Sequence, residues 1–149
     1  EIVVFNSPYA FDSSLRSKSR PSKLHCALVG LPFLNLVPGI AESACDAYIK
    51  RVVAISGDKI FVNPKGEVTV NGDKLEESYV KQFCGIDFGS GCQTLNTKIP
   101  INHVLVLGDN RRNSWDSRFW PGGPFLPEKE IIGRAIWRFW PLNRLGSLD

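Results

Sequence analysis

Methionine is absent from all 149 residues, and the chain begins with Glu1. We therefore expect a fragment, a processed product or a trimmed chain, with further protein upstream of residue 1. The sequence also lacks a signal peptide and any run of ~18 or more uninterrupted apolar residues, the length that a transmembrane helix requires. Its nearest approach, residues 26–41, is interrupted by Pro32, Asn35, Pro38 and Gly39. We predict no membrane-spanning segment within the chain.

The sequence also lacks a strongly basic or acidic net charge and any metal-binding motif. The formal net charge is only +3, and no dense block of Lys and Arg occurs, so we predict no nucleic-acid partner. The chain has only two histidines, and its four cysteines form no CxxC pair, so the spacing matches no zinc site. Cys84 and Cys92 flank a Gly-rich segment. A disulfide in an oxidising compartment and two free thiols both fit that arrangement.

Short apolar segments separated by turn residues make up most of the chain. Hydrophobic residues account for 43% and charged residues for 22%, which is typical of one globular domain. Strands are predicted at EIVVF (1–5), AYIKRVVAI (47–55), KIFV (59–62), EVTV (67–70), HVLVL (103–107) and IIGRAIWRFWP (131–141). Turns are predicted at 57–58, 63–66 and 71–72. The pattern indicates a mainly β fold of antiparallel, partly barrel-like type.

Two segments have no clear strand pattern. Residues 12–45 are rich in Ser, Pro and Gly, and irregular stretches of that length in compact domains are usually functional or mobile. Residues 74–83, KLEESYVKQF, are predicted to form either a helical turn or an irregular edge.

Lys50 is the most unusual single residue, because it lies in the middle of a strongly apolar strand. With a period of two, Lys50 shares a face with Tyr48 and Val52. A solvated edge is the ordinary reading of such a lysine. The functional reading is a desolvated amine: an ordinary Lys pKa is about 10.4, and burial can lower it by up to ~3–5. A neutral lysine of that kind can act as a general base for a serine nucleophile.

The segment GDNRRNSWDSRFW, residues 108–120, places two Asp, three Arg, two Asn and two Ser directly after a predicted core strand. Asp109 and Asn110 can bond nearby backbone groups in a turn. Asp116 and Arg118 are two residues apart, so in an extended segment they would project to the same side and pair. Composition alone fits either a structural turn with an ion pair or a polar network that positions the amine of Lys50.

Several motifs carry a resemblance to a known family. GDNRRNSWDSRFW followed by IIGRAIWRFWP resembles the C-terminal signature of type I signal peptidases, the membrane-bound serine proteases that remove signal peptides. DAYIKRVVAISGDKI is similar to their lysine motif, EIVVFNSP to the strand before it, and GEVTVNGDKLEESYV to the hairpin after it. The match runs in order from residue 1 to about residue 146.

The resemblance implies roles for particular residues. Lys50 would be the general base of a Ser-Lys dyad, and the hydroxyl of Ser114 would orient its amine. Asp116 and Arg118 would form an ion pair that holds the turn 108–113 against the site. The family fold is mainly antiparallel β, of a type shared with self-cleaving repressor peptidases.

Substrate and compartment follow from the same resemblance. Asp46, Tyr48 and Ile49 would belong to the strand to which a signal peptide adds as a further strand, beside pockets for small side chains. The implied partners are signal peptides of exported preproteins, and no metal or organic cofactor is implied. An anchor upstream of residue 1 would hold the domain on the exported side of a cell membrane or a thylakoid-type membrane.

The resemblance also predicts how the chain is divided. Residues 1–149 would form a single catalytic domain, with its core at about 1–8, 46–63 and 101–146. Residues 9–45 would be a variable insert, and residues 64–100 a variable β region.

The family's nucleophile motif, Ser-x-Met-x-Pro, is missing. No methionine is present, and the serines in FDSSLRSKSRPS do not match the pattern. We therefore expect the nucleophilic Ser, and much of the oxyanion hole, to lie upstream of residue 1, and this chain alone to be inactive. Two alternatives stay open: a self-cleaving repressor-type Ser-Lys peptidase, and a non-catalytic paralogue that binds signal peptides.

Overall fold

A computed structural model describes residues 1–15, 22, 45–85, 92–139 and 141–148. Its strands are β1 Ile2–Asn6, β2 Ala47–Ala54, β3 Lys59–Val62, β4 Val68–Val70, β5 Asp73–Lys74, β6 Leu95–Lys98, β7 His103–Leu107, β8 Leu126–Pro127, β9 Ile131–Arg134, β10 Trp137–Arg138 and β11 Gly146–Ser147. The helices in this part of the chain are one α-helix, α1 Pro8–Phe11, and the 3-10 helices Arg111–Asn113, Glu128–Glu130 and Leu142–Arg144. Most of the predicted insert 9–45 lies outside the described residues.

The strands form three sheets, and every pair of neighbouring strands is antiparallel. A five-stranded sheet has the order β8-β7-β2-β1-β9, a four-stranded sheet the order β5-β4-β3-β6, and β10 and β11 make a two-stranded ribbon. The predicted mainly antiparallel β fold is confirmed. The fold was also predicted to be partly barrel-like, but none of the three described sheets closes on itself.

Strand β7 lies between two apolar cores. The first core contains Val53, Ala54, Ile60, Val62, Val68, Ile99, Leu105 and Leu107. The second contains Val3, Phe5, Val104, Val106, Trp120 and Leu126. Because side chains alternate along a strand, β7 supplies its leucines to the first core and its valines to the second. A strand that is covered on both faces needs a continuous apolar run, which explains the sequence HVLVL.

Strand β2 contains a bulge close to the candidate site. Its register with β7 shifts between Val52 and Ala54, so Val53 is the additional residue. Val53 and Ala54 are consecutive and both lie in the first core, whereas Val52 packs beside the second. Lys50, on the other side of the bulge, keeps a regular pairing with Val3 of β1.

Two of the three predicted turns, at 63–66 and 71–72, connect strands of the four-stranded sheet. Asn71 and Gly72 both have positive φ, 54° and 97°, the conformation of the tight hairpin turns that favour Asn-Gly. The turn at residues 63–66 connects β3 to β4. Residues 75–85 form no helix; an isolated bridge joins Gln82 to Asn110, so the irregular-edge prediction was the right one of the two.

The prediction of one strand over residues 131–141 was wrong. Strand β9 ends at Arg134 because its partner β1 begins at Ile2, whose carbonyl accepts the last hydrogen bond, from Ala135. Residues 137–138 then pair with 146–147 of the same chain. The described residues contain no helix that is long and apolar enough to cross a bilayer.

Candidate active site

A cleft of about 590 Å³ opens where β2, the segment after β7 and the β10–β11 ribbon meet. The segment after β7, residues 108–118, is called the site loop here. Among the residues predicted from the sequence, the cleft is lined by Tyr48, Ile49, Lys50, Asp109, Asn110 and Ser114. The fold therefore brings the predicted lysine and the predicted serine, 64 positions apart in the sequence, to one cavity.

Lys50 occupies the middle of β2 with a half-buried side chain, and its Nζ lies 5.8 Å from the centroid of the Tyr48 ring. Burial lowers the pKa of the Lys50 amine, because desolvation disfavours the ammonium form. The Asp116 carboxylate acts in the opposite direction and offsets part of this decrease in pKa. Lys50 thus has the environment expected of an amine that is neutral more often than an ordinary lysine.

The hydroxyl of Ser114 is buried and has no hydrogen-bond partner within the described part of the chain. It packs against Gly108, where an added Cβ would overlap Ser114 Oγ and Ser114 Cβ. Only glycine at position 108 leaves space for this hydroxyl. Ser114 and Lys50 line the same cleft, but no hydrogen bond joins them, so the orienting role implied for Ser114 stays a prediction.

Asp116 and Arg118 form a fully buried ion pair. Arg118 Nε donates to Asp116 Oδ1 and Arg118 Nη2 to Asp116 Oδ2, each at 2.8 Å. The local structure is a turn, closed by a hydrogen bond from the Phe119 amide to the Asp116 carbonyl, and not the extended segment that the spacing argument assumed. Asp116 Oδ2 also accepts from the Gly108 amide at 2.9 Å, so the pair connects both ends of the site loop.

Asp109 and Asn110 stabilise the start of the site loop. Asp109 accepts two hydrogen bonds from Arg51, at 2.8 and 2.9 Å, and this pairing raises the pKa of the Arg51 guanidinium. Asn110 caps the 3-10 helix Arg111–Asn113 by accepting from the Asn113 amide. No role was predicted for Arg51, although its position next to Lys50 in β2 was a signal that could have found it.

One edge of β2 is open at the cleft as far as the described residues go, since none of the described strands pairs with residues 47–50 on that side. The Asp46 carbonyl and the Val52 amide bond towards β1, and backbone groups alternate in direction along an antiparallel strand. Ala47 and Ile49 therefore direct their N–H and C=O groups to the opposite side, where β7 has already ended at Leu107. Tyr48 and Ile49 line the cleft. The Asp46 side chain is exposed, and Asp46 is outside the set of residues that line the cleft.

Cys84 and Cys92 are joined by a disulfide. The two sulfurs lie 3.4 and 3.6 Å from the Arg111 carbonyl oxygen, and Arg118 Nη1 is 2.6 Å from Cys92 Sγ. The bond therefore packs directly against the buried arginines of the site loop.

Aromatic side chains of the cleft wall were missed by sequence reasoning. Trp115, Trp137 and Phe139 line the cleft, and Trp137 and Phe139 are 59% and 78% exposed. The aromatic run WRFW was visible in the sequence, but its assignment to a single strand concealed the ribbon that brings it to the cleft.

Comparison with known proteins identifies the family. Residues 1–140 match the family model described as signal peptidase, peptidase S26. That match covers most of the chain, and the chain belongs to the signal peptidase family.

Curated relatives include signal peptidase I of Leptolyngbya laminosa, 45% identical over 69% of this chain and 46% of that protein. Probable signal peptidase I-2 of Synechocystis is 41% identical over 72% of this chain and 45% of that protein. Thylakoidal processing peptidase 1 of Arabidopsis thaliana is 36% identical over 78% of this chain and 31% of that protein. The chain spans less than half the length of these relatives.

A crystal structure of a signal peptidase I from Enterococcus faecalis has a similar fold. Its TM-score is 0.55 with 18% sequence identity, and the alignment covers 90% of this chain and 92% of that one. At that identity the similarity supports the fold alone.

Proposed function

We propose that the complete protein is a serine endopeptidase that removes signal peptides from exported preproteins. The observation that carries this proposal is Lys50, a half-buried lysine with a lowered pKa that shares a cleft with Ser114 in a chain of the signal peptidase family. The catalytic pair would be Lys50 and a serine upstream of residue 1. This chain alone would then be inactive.

The proposed reaction begins when the upstream serine attacks the scissile carbonyl while neutral Lys50 accepts its hydroxyl proton. The tetrahedral intermediate collapses to an acyl-enzyme as the amide C–N bond breaks, and the proton passes to the leaving amine. Lys50 then takes a proton from water, and the resulting hydroxide attacks the ester carbonyl. The bond between the serine oxygen and the acyl carbon breaks, the serine oxygen takes back the proton from Lys50, and the signal peptide's new carboxyl end is released. Ser114 would orient the Lys50 amine throughout.

Substrate would bind as an additional strand on the open edge of β2. The N–H and C=O groups of Ile49 would pair with the signal peptide backbone. Small residues in an Ala-x-Ala-like pattern before the cleaved bond would occupy shallow pockets near Tyr48 and Ile49. Asp46, predicted from the sequence to bind substrate, is not part of this edge, because its carbonyl accepts from the Ser7 amide on the side of β1.

We further propose that an anchor upstream of residue 1 holds the domain on the exported side of a cell membrane or a thylakoid-type membrane. The exposed aromatic side chains of the β10–β11 ribbon support this placement near a bilayer. The full reading frame tests it: an apolar anchor followed by Ser-x-Met-x-Pro is expected upstream. A soluble DNA-binding domain there would favour a self-cleaving repressor-type peptidase.

The decisive experiment replaces Lys50 in the complete protein. Lys50→Ala is expected to abolish cleavage of a preprotein while leaving the circular dichroism spectrum and the thermal unfolding transition close to wild type. Lys59→Ala is the matched control, because Lys59 is also a strand lysine but is exposed to solvent. Processing retained by Lys50→Ala would show that another group is the base.

A serine-acylating inhibitor addresses the non-catalytic alternative. If the complete protein is a peptidase, one serine should become covalently labelled, and Lys50→Ala should slow that labelling. A protein that binds signal peptides but acquires no label would be the non-catalytic paralogue.

A further inference from the structure

Two residues outside the cleft, Glu77 and Tyr79, contact the residues that hold the site loop. Both lie in the irregular segment 75–85 after β5. The Tyr79 ring stacks on the Arg51 guanidinium, with Arg51 Cζ 3.9 Å from the ring centroid, a distance typical of a cation–π contact. The Tyr79 hydroxyl donates to Glu77 Oε1 at 2.8 Å. One tyrosine thus joins the arginine beside Lys50 to the carboxylate of Glu77.

Glu77 is the partner of a buried arginine of the site loop. Its carboxylate binds Arg111 through both terminal nitrogens, Nη1 to Oε2 at 3.0 Å and Nη2 to Oε1. The two side chains are only 3% and 1% exposed. Arg111 also donates to the carbonyls of Gly66 and Gly108. A guanidinium this deeply buried requires a paired carboxylate, because an unpaired charge in the interior is very costly.

The Glu77–Arg111 pair is linked to the Asp116–Arg118 pair through one backbone oxygen. The Arg111 carbonyl accepts a hydrogen bond from Arg118 Nη2 at 2.9 Å, and Asp116 in turn binds the Gly108 amide. Ser114 lies between the two pairs along the chain. A displacement of Arg111 would therefore move the backbone that carries the Ser114 hydroxyl.

Tyr79, which Glu77 holds by a hydrogen bond, also contacts the part of the site that β2 forms. Arg51 is held between the Tyr79 ring and the Asp109 carboxylate, and Lys50 is its neighbour in β2. The segment 75–85 therefore contacts both the first turn of the site loop, through Arg111, and the middle of β2, through Arg51.

We propose that Glu77 and Tyr79 are positioning residues of the Lys50 site, which hold the backbone that carries Ser114 and the strand that carries Lys50 in place around the cleft. This inference rests on the proposed peptidase function. Neither residue lines the cleft, so their effect on catalysis would be exerted entirely through Arg111 and Arg51. Among the described residues, no hydrogen bond or ring contact joins either positioning residue to Ala47 or Ile49, whose backbone groups form the open edge of β2.

The test uses Glu77→Gln and Tyr79→Phe in the complete protein, with steady-state cleavage of a preprotein. Glu77→Gln keeps the shape of the side chain but removes its charge. We expect kcat to fall about 10- to 100-fold, the range that a displacement of about 1 Å can produce, with KM within about twofold of wild type. Glu76→Gln is the matched control, since Glu76 is its exposed neighbour, and it should behave as wild type.

The tyrosine variants separate the ring from the hydroxyl. Tyr79→Phe keeps the stack on Arg51 and loses only the hydrogen bond to Glu77, so it should lower kcat less than Glu77→Gln does. Tyr79→Leu loses the ring as well and should lower kcat more than Tyr79→Phe. Equal losses in the two tyrosine variants would contradict the contribution of the stack.

The pH profile distinguishes positioning from a simple loss of folded protein. A displaced site loop lets water reach the Lys50 amine, so the acid limb of kcat should move to higher pH in Glu77→Gln. Fewer folded molecules would lower the rate equally at every pH and leave the limb in place. The inference would be overturned if the wild type is active and Glu77→Gln has an unchanged kcat. It would also be overturned if the acid limb of kcat stays in place in Glu77→Gln. An inactive wild type would instead overturn the proposed function.

Discussion

Lys50 experiences two opposed influences on its charge. Partial burial removes water from the ammonium and lowers the pKa of the amine, whereas the Asp116 carboxylate favours the ammonium and raises that pKa. Burial is the larger effect, so the net direction is downward. The buried Asp116 is itself paired with Arg118, and this pairing reduces its influence on the amine. The ion pair thus indirectly favours a lower pKa of the Lys50 amine.

The lowered pKa of Lys50 predicts in which direction the cleavage activity should change with pH. The proposed base must be neutral, so kcat/KM of the complete protein should rise with pH through the pKa of Lys50 in the free enzyme. The midpoint of that rise should lie below the ordinary lysine pKa of about 10.4. Initial rates of preprotein cleavage across the pH range would measure it, and Lys59→Ala should give the wild-type profile. A midpoint at or above the ordinary value would contradict the assignment.

At the scale of elements, the site loop depends on a close contact between its first residue and its serine. Gly108 lies directly against the Ser114 side chain, and the Asp116 carboxylate holds the Gly108 amide. The loop is therefore closed on itself, with the Ser114 hydroxyl on its inner side. Contacts of this kind leave little room for a change of side-chain volume.

Gly108→Ala should therefore disturb the site more than the overall fold. The new methyl group would overlap Ser114, at a cost of about 1–3 kcal/mol in the free energy of unfolding. Displacement of the hydroxyl should lower kcat/KM for preprotein cleavage by about 10- to 100-fold. Gly133→Ala is the control, because a Cβ at Gly133 meets open space. Wild-type cleavage by Gly108→Ala would show that the Ser114 position is not required.

Sequence patterns predicted the elements that follow local rules. Alternation and β-branched content located β2 and β7, and Asn71-Gly72 located its hairpin. Strand β6 was missed because LNTK is largely polar; it pairs with β3 along its length and is only partly buried. The break between β9 and β10 was missed because it depends on where β1 begins, which is a tertiary fact.

The residues of the candidate site can be separated in the same way, into those that local patterns predicted and those that depend on tertiary contacts. Lys50 and Ser114 were predicted through motifs. The Asp116–Arg118 pair was predicted from a spacing argument that assumed an extended segment, whereas the pair forms within a turn. Glu77 and Tyr79 could not be identified, because their importance arises from Arg111 and Arg51, which lie more than 25 residues away in the sequence. Only the folded chain brings these four side chains together.

At the scale of the whole molecule, the Cys84–Cys92 disulfide connects the four-stranded sheet to the site loop. The Cys84 amide donates to the Lys65 carbonyl and the Cys92 amide to the Pro64 carbonyl, which attaches both cysteines to the β3–β4 turn. Their sulfurs contact the Arg111 carbonyl. The bond thus lies between the part of the chain that is predicted to vary and the part predicted to be catalytic.

Removal of this disulfide should lower stability by a predictable amount. The bond spans a sequence separation of 8, and loop-closure entropy gives about 2–3 kcal/mol for a loop of that size. The double variant Cys84→Ala/Cys92→Ala should therefore unfold at a lower urea concentration than wild type. Equilibrium urea unfolding of the complete protein measures the shift, and Ser78→Ala, an exposed position in the same segment, serves as the control. An unchanged midpoint would contradict this account.

The bulge at Val53 has a consequence for how the chain tolerates changes of length. Before the bulge, β2 is in phase with β1, and that phase turns Lys50 to the cleft. After it, β2 is in phase with the first core. Deletion of Val53 would remove the additional residue and leave Arg51, Val52 and Ala54 opposite Leu107, Val106 and Leu105 in a regular ladder. Lys50 would keep its pairing with Val3, and the first core would lose only the Val53 side chain. The strand that carries Lys50 therefore has a position at which it can be shortened by one residue without turning the amine away from the cleft.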